Sequence, residues 1–454
     1  MKSAVFTGLF SLSFLLSVNS SAQPLPSLQW TGSLSVSASL GPCQVVPLRE
    51  GAGFAVAGST GDVGEQIFLL VAGRSGGEEW RAGYNTFTGG SVVGAQYVNA
   101  AAQLADGGFV LAGSRNVCLP GSQSAAWVLR TDAKGGVMWT TVIGANGQNP
   151  DSGFSAECIL SIPPGLVIVG GRQGNSPWLC CLDARGTVLW SHNNYAGTSF
   201  SSLSLWIPGQ IAAAGISWDN SLKSVFINLM DPAGICGTAR VASTSSSGQC
   251  PSAVFVSPCK AVYTAVTDPA NGQAVISSYD PDADLVWEKS LYFRGSGYST
   301  IKTLANAPDG GVLAAGDLAD DRYTAPQGIW LTRFDSRGNI AWQWTTYESH
   351  SIRSAAAVGE NDAVMLAEQY SQGANNLVLM KLTARPPTEA VAASNSASAM
   401  AMRSARAAAN GDFYDVAGRL VSRPASTTRA LLPVGMYINR ANTGKTLLFE
   451  NSSR

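Results

Sequence analysis

Three stretches of this chain repeat one another: WVLRTDAKGGVMW (127–139), WLCCLDARGTVLW (178–190) and WLTRFDSRGNIAW (330–342). Each opens on an aromatic, passes an Asp and a Gly at fixed places and closes on Trp. FLLVAGRSGGEEW (68–80) and VISSYDPDADLVW (275–287) keep the spacing with weaker residues, and FINLMDPAGICGT (226–238) closes on Thr instead. The unit is a β-hairpin. An apolar strand stops at Asp132, Asp183 or Asp335, whose short side chain bonds the turn backbone; Gly135, Gly186 or Gly338 takes a positive φ; a second strand carries the Trp. Upstream lies a second recurring signal, DGGFVLAGS (106–114), DGGVLAAGD (309–317) and the looser GAGFAVAGS (51–59), a tight turn feeding another strand. Each unit is therefore a four-stranded antiparallel meander.

The closing position falls at Trp80, Trp139, Trp190, Thr238, Trp287 and Trp342. Units of roughly 40 to 50 residues with four strands each mark a β-propeller. After Trp342, residues 351–383 supply three strands and no closing Trp, while Trp30 in LQWTGSLSV is a closing strand without a blade. Pairing the two buries both chain ends and removes the exposed sheet edges of an open stack. The expected architecture is all-β, a seven-bladed propeller over residues 23–383 closed by its N-terminal strand and followed by a linker and a small β-sandwich-like C-terminal segment. The Trp row reads as buried packing between blades rather than as a platform for sugars.

Composition narrows the function. Charged residues are 13% of the 454, and the net charge of −1 supplies no field for nucleic acid. Residues 1–22 read as a signal peptide: Lys2, an apolar stretch too short to span a bilayer, then Ser20, Ser21 and Ala22 before a cut at Gln23. No later run is apolar and long enough for a transmembrane helix. Export brings the eight cysteines into an oxidising compartment where disulfides are permitted, with connectivity open. The adjacent Cys180 and Cys181 read as thiols on opposite faces of a strand. With only His192 and His350, a zinc site is not expected, and both histidines read as surface residues following outer strands. No GxSxG, HExxH or phosphate-binding loop occurs, so no catalytic residue is assigned.

In a meander the first-to-second and third-to-fourth connections share one side of the disc, here the short DGG and DxxG turns. The second-to-third connections and the blade-to-blade crossings share the other, and these vary in length: 85–96, 115–124, 217–224 and 317–328. Binding concentrates on such loops. Candidate ligand contacts on this wide-loop face are Arg115, Asn116, Trp218, Asp219, Asp317, Asp320, Asp321, Arg322 and Tyr323. The three carboxylates of 317–321 are the ligand type calcium takes and could hold such an ion, but the EF-hand spacing is absent; no metal or cofactor is assigned.

The blade units resemble the DGGYVLAGST…WLVKLDSNGNVVW repeats of secreted bacterial β-propellers, over roughly residues 28–383. They are also similar to the tryptophan-docked blades of pyrroloquinoline-quinone dehydrogenases, from which they depart in blade count and in the Asp-to-Trp spacing. Residues 384–410 are rich in Ala, Ser and Pro and read as a linker. The segment 411–454 then carries FYDVAGRLVSR and LLPVGMYINRANTGKTLLFEN, which resemble the last strands of the type IX secretion sorting domain. Tyr414, Asp415, Gly418, Arg419, Val421, Leu432, Pro433, Gly435, Tyr437, Ile438, Gly444 and Lys445 fit that family's YDxxGRxV and LPxGxYIxxxxxGK patterns; its usual earlier strands are not recognisable. The resemblance implies recognition by the type IX machinery and delivery to the surface or medium of a Bacteroidetes-like bacterium. The expected function is non-catalytic binding of an extracellular protein or glycan. A secreted glycan hydrolase or lyase is the alternative, and it requires paired carboxylates.

Overall fold

In the computed structural model the described residues are 25–34, 40–60, 67–85, 96–115, 124–144, 153–193, 195, 197–207, 209–219, 222–231, 233–234, 236–243, 253–268, 271–293, 296–321, 324–348, 350–371, 374–385, 413–415, 420–422, 435–440 and 446–451. The segment 1–22, read above as a signal peptide, and most of 384–410 lie outside them.

Seven four-stranded antiparallel sheets form a ring of blades, the first six of them meanders in chain order. Blade 1 comprises Leu40–Pro47, Gly53–Thr60, Ile67–Gly73 and Glu78–Tyr84; blade 2, Gln96–Gln103, Phe109–Arg115, Ala125–Thr131 and Val137–Ile143. Blade 3 comprises Phe154–Ile162, Leu166–Gln173, Ser176–Leu182 and Val188–His192; blade 4, Ser199–Ile207, Gln210–Asp219, Leu222–Met230 and Cys236–Ser243. Blade 5 comprises Ala253–Ser257, Ala261–Thr267, Ala274–Tyr279 and Leu285–Leu291; blade 6, Tyr298–Asn306, Val312–Ala319, Gly328–Phe334 and Ile340–Thr346. Blade 7 takes His350–Ala357, Asp362–Ser371 and Ala374–Arg385 from the end of the ring and Leu25–Leu34 from its start. That last strand pairs antiparallel with its neighbour from Leu25 opposite Arg385 to Leu34 opposite Leu377, the closure expected from Trp30.

First strands of successive blades approach one another around the axis, and the fourth strands form the rim. Each blade is sandwiched between two others, so its middle strands bury both faces and read as continuous runs of small and branched apolar residues. Ala55 to Gly58 and Val312 to Gly316 show this. Seven hydrophobic clusters result, one at each blade junction. Trp127, Trp178 and Trp330 on third strands are fully buried, with their indole N–H groups donated to Ser114 O, Ser191 Oγ and Thr300 O. Of the closing tryptophans, expected to be buried, Trp287 and Trp342 are, and the other four are less so. Trp30, Trp80, Trp139 and Trp190 are half-buried, because a fourth strand has a neighbour on one face and solvent beyond its edge.

Each of these four, and Trp287, lies against the turn glycine of the following blade. A Cβ built on Gly76, Gly135, Gly186, Gly234 or Gly338 would sit 2.3–2.8 Å from a ring atom of Trp30, Trp80, Trp139, Trp190 or Trp287 respectively. These glycines hold φ between +78° and +84°. The turns are secured as read from the sequence. Asp132 Oδ1 accepts the N–H groups of Lys134 and Gly136, Asp183 those of Arg185 and Thr187, and Asp335 those of Arg337 and Asn339.

Residues 386–454 form a separate unit. Its described strands, Phe413–Asp415, Leu420–Ser422, Gly435–Arg440 and Thr446–Asn451, make one antiparallel sheet with the first pair joined to the last through Phe413–Asp415 and Gly435–Arg440. Tyr414, Asp415, Val421, Gly435, Tyr437 and Ile438 stand in these strands; Gly418, Arg419, Leu432, Pro433, Gly444 and Lys445 lie outside the described residues.

Candidate functional site

The ring encloses a channel of about 690 Å³, walled by the first strands of all seven blades. Five of these strands carry a bulge at the same place, where pairing skips from Val98 to Ala100, Ala156 to Cys158, Phe200 to Ser202, Ile301 to Thr303 and Ile352 to Ser354. A bulge re-aims one side chain. The skipped residues Asn99, Glu157, Ser201, Lys302 and Arg353 all line the channel.

Three of the five are ionisable, and each meets a side chain of opposite charge type on the second strand of its own blade, at the residue following Gly171, Gly316 or Ala367. Glu157 Oε1 lies 3.5 Å from Arg172 Nε, Lys302 Nζ lies 3.6 Å from Asp317 Oδ2, and Arg353 donates to Glu368 Oε2. Glu157 also accepts the Ser199 hydroxyl from the next blade. Burial pushes its carboxyl above the usual range, against the pull of Ser199 and Arg172. Asp317 is likewise raised by burial, although the Ile352 N–H, Lys302 and the Ser351 hydroxyl all favour its charged form.

The same wall is knitted from blade to blade. Gln44 Oε1 accepts the Ala101 N–H, Asn99 Nδ2 donates to Ala156 O, Ser202 Oγ accepts the Val256 N–H and Ser354 Oγ accepts the Val45 N–H. Ser59 Oγ accepts the N–H of Val98 as Asp317 Oδ1 accepts that of Ile352, so Asp317 fills a joint that Ser59 fills elsewhere. Signals for this collar were present in the sequence as Glu157 with Arg172, Lys302 with Asp317 and Arg353 with Glu368 at one constant offset.

The sequence-assigned ligand residues are spread. Asp317 was expected on a loop; it lies inside the second strand of blade 6 and is buried, since the strand continues to Ala319. Asp320 and Asp321 are exposed beyond it, Asp320 accepting from Gln327 Nε2 and Asp321 from the Thr324 N–H. Arg115 ends the second strand of blade 2 and is half-buried. Trp218 and Asp219 were expected on a loop but continue the blade 4 hairpin, paired with Lys223 and Leu222, because the ladder there runs nearly to the tip. Asn116, Arg322 and Tyr323 lie outside the described residues. Among the described residues, no group of three or more His, Cys, Asp or Glu side chains is placed to hold a metal ion.

Of the histidines, His192 stacks on Trp190 at 5.2 Å. His350, expected at the surface, is 3% exposed. It opens the first strand of blade 7, a position flanked by blades on both sides. Cys180 and Cys181 do face opposite sides of their strand, one in each neighbouring cluster. Burial pushes their thiols up to about 12 and about 11, which leaves them protonated and poorly nucleophilic.

No helix among the described residues is long and apolar enough to cross a membrane. No family model matches the chain, and no curated protein does. Among solved structures, a protein of unknown function from Dyadobacter fermentans is similar at 14% identity and a TM-score of 0.48, over 80% of this chain and 100% of that one. The WD40 domain of Toxoplasma gondii coronin is similar at 12% identity and a TM-score of 0.48, over 80% of this chain and 89% of that one. Likeness at this level leaves the architecture resting on the strand order itself: the chain is a seven-bladed β-propeller followed by a separate unit.

Proposed function

We propose that this chain is an exported, non-catalytic binding or scaffold protein that meets an extracellular protein or glycan on its wide-loop face. Residues 1–22 direct it across the inner membrane, and the segment 411–454 directs it outward by a type IX route. The observation that supports a non-catalytic channel is the ionic collar. Glu157, Lys302 and Arg353, the ionisable residues at the bulges, are each engaged by a partner from the fold. A glycosidase instead keeps two carboxyl groups facing each other across the substrate.

The test combines export and binding. Deleting 411–454 is expected to leave a folded propeller retained in the periplasm, and unchanged release would refute the sorting role. The exported protein is expected to bind members of a panel of polysaccharides and outer-surface proteins without turnover. Polysaccharide cleavage abolished by Glu157→Gln would establish the hydrolase or lyase reading in its place.

A further inference from the structure

Away from the channel, the wide-loop face holds a second cleft, of about 230 Å³. It forms where the second-to-third-strand connection of blade 5 meets the crossing from blade 5 to blade 6. We infer that this cleft binds one neutral sugar ring, most simply the end of a glycan. The inference rests on the binding-protein reading above and names a ligand class and a place for it.

Its chemistry is selective. The polar groups on the described wall come from Asn271, Gln273, Tyr292, Ser296, Tyr298 and Ser299, and none is charged. An ion entering here would lose water and gain no counter-charge from these six residues, an unfavourable exchange. A sugar offers the complement: hydroxyl groups that pair with amides and phenols, and a C–H face that lies on an aromatic ring. Tyr292 supplies such a ring, 72% exposed, next to the buried Phe293. Asn271 Oδ1 is used by the Gln273 N–H, but its Nδ2, the Gln273 side-chain amide and the hydroxyls of Tyr292 and Tyr298 make no hydrogen bond within the described residues. The volume, below the roughly 300–1,000 Å³ of sites for drug-sized ligands, suits one ring.

The cleft is also built in advance. Gly272, at φ +70°, passes so close to the crossing that a Cβ there would lie 2.5 Å from Gly297 O, and one on Gly297 would lie 2.1 Å from Asp320 O. Gly272 O accepts the Ser299 N–H at 2.7 Å, and Ser299 Oγ accepts the Ala274 N–H at 3.0 Å. Ser296 Oγ lies 2.9 Å from Ala319 O, tying the crossing to blade 6. The two loops therefore hold each other, and the ordering cost of binding falls mainly on the ligand.

The experiment titrates the exported protein with methyl glycosides of glucose, galactose, mannose and N-acetylglucosamine, with glucuronic acid as the charged control, by calorimetry and ligand-observed NMR. Saturable binding of a neutral glycoside is expected, weakened at least tenfold by Tyr292→Ala and less than about threefold by Tyr292→Phe, which keeps the ring. Gln273→Ala is expected to weaken it as well, and unchanged melting temperatures verify that both variants fold. Absence of saturable binding, preference for glucuronic acid, or full affinity in Tyr292→Ala would each overturn the inference. If Tyr292→Ala still captures a glycan or protein from the wider panel as the wild type does, the binding-protein reading stands and this cleft is not its site.

Discussion

Among single residues, the turn glycines carry a constraint imposed by another blade. Gly186 and Gly338 hold φ near +80° and have an indole where a Cβ would go. Blade 4 supplies the control: its closing position is Thr238, paired with Leu229 as Trp139 is with Arg130, and the following turn has Ala283 at φ +68° in place of glycine. Without an indole, a methyl group is tolerated at the price of left-handed strain alone. Gly186→Ala and Gly338→Ala are therefore expected to cost about 2–4 kcal/mol, strain plus overlap, whereas Ala283→Gly is expected to be neutral or stabilising by up to about 1 kcal/mol. Urea melts of the three variants read the difference.

Asp317 makes a second prediction at this scale. Burial raises its pKa in the folded protein, so the native state binds its proton more tightly than the unfolded chain does. The stability it contributes is then greatest below the ordinary Asp range and declines as pH rises through the raised value. The turn residues run the other way. Asp183 is lowered by the Thr187 N–H, and Asp335 is lowered by Asn339 and Arg337 in spite of burial, so their contributions fade on acidification. Subtracting the pH–stability curve of Asp317→Asn from that of the wild type is expected to isolate a term that grows from neutral pH toward the unperturbed Asp pKa. A flat difference would show that Asp317 titrates normally.

At the level of elements, the N-terminal strand is the one blade strand that does not follow or precede another strand of its own sheet in the chain. Ser27, Leu28 and Gln29 are exposed, and its hold comes from the ladder with Ala374–Arg385, from Leu34, and from Trp30 against Phe54 and Gly76 of blade 1. Trp30→Ala is expected to cost about 2–4 kcal/mol by loss of that packing. A chain lacking 25–34 is expected to melt at lower temperature and to recover stability when a peptide of residues 23–36 is added, since the ladder is intermolecular in that case. The same seam leaves a mark on blade 6. Trp139 and Trp287 donate their indole N–H to a carbonyl in the next blade's turn, Ala184 O and Ser336 O. In blade 7 that place is taken by a third strand running straight on to Arg385, and the buried Trp342 Nε1 has no partner among the described residues.

For the molecule as a whole, the blade count and the closure were legible because turns advertise themselves: Asp, Gly and Trp at fixed spacing encode a hairpin locally. The channel was not, because a bulge such as the one at Glu157 changes which way a side chain points without changing the residues around it. Asp317 was misplaced for a related reason, a polar residue inside a strand reading as the strand's end when its partners, Ser351 and Ile352, belong to the next blade. The sugar cleft drew no notice because Asn271 and Tyr292 come from two connections whose proximity depends on the glycine contact at Gly272. Leu25 lies opposite Arg385, so both ends of the wheel emerge at the same spoke on the short-turn side. The second-to-third-strand connections and the blade crossings, the cleft among them, therefore occupy the side of the wheel opposite the point where the chain enters and leaves it.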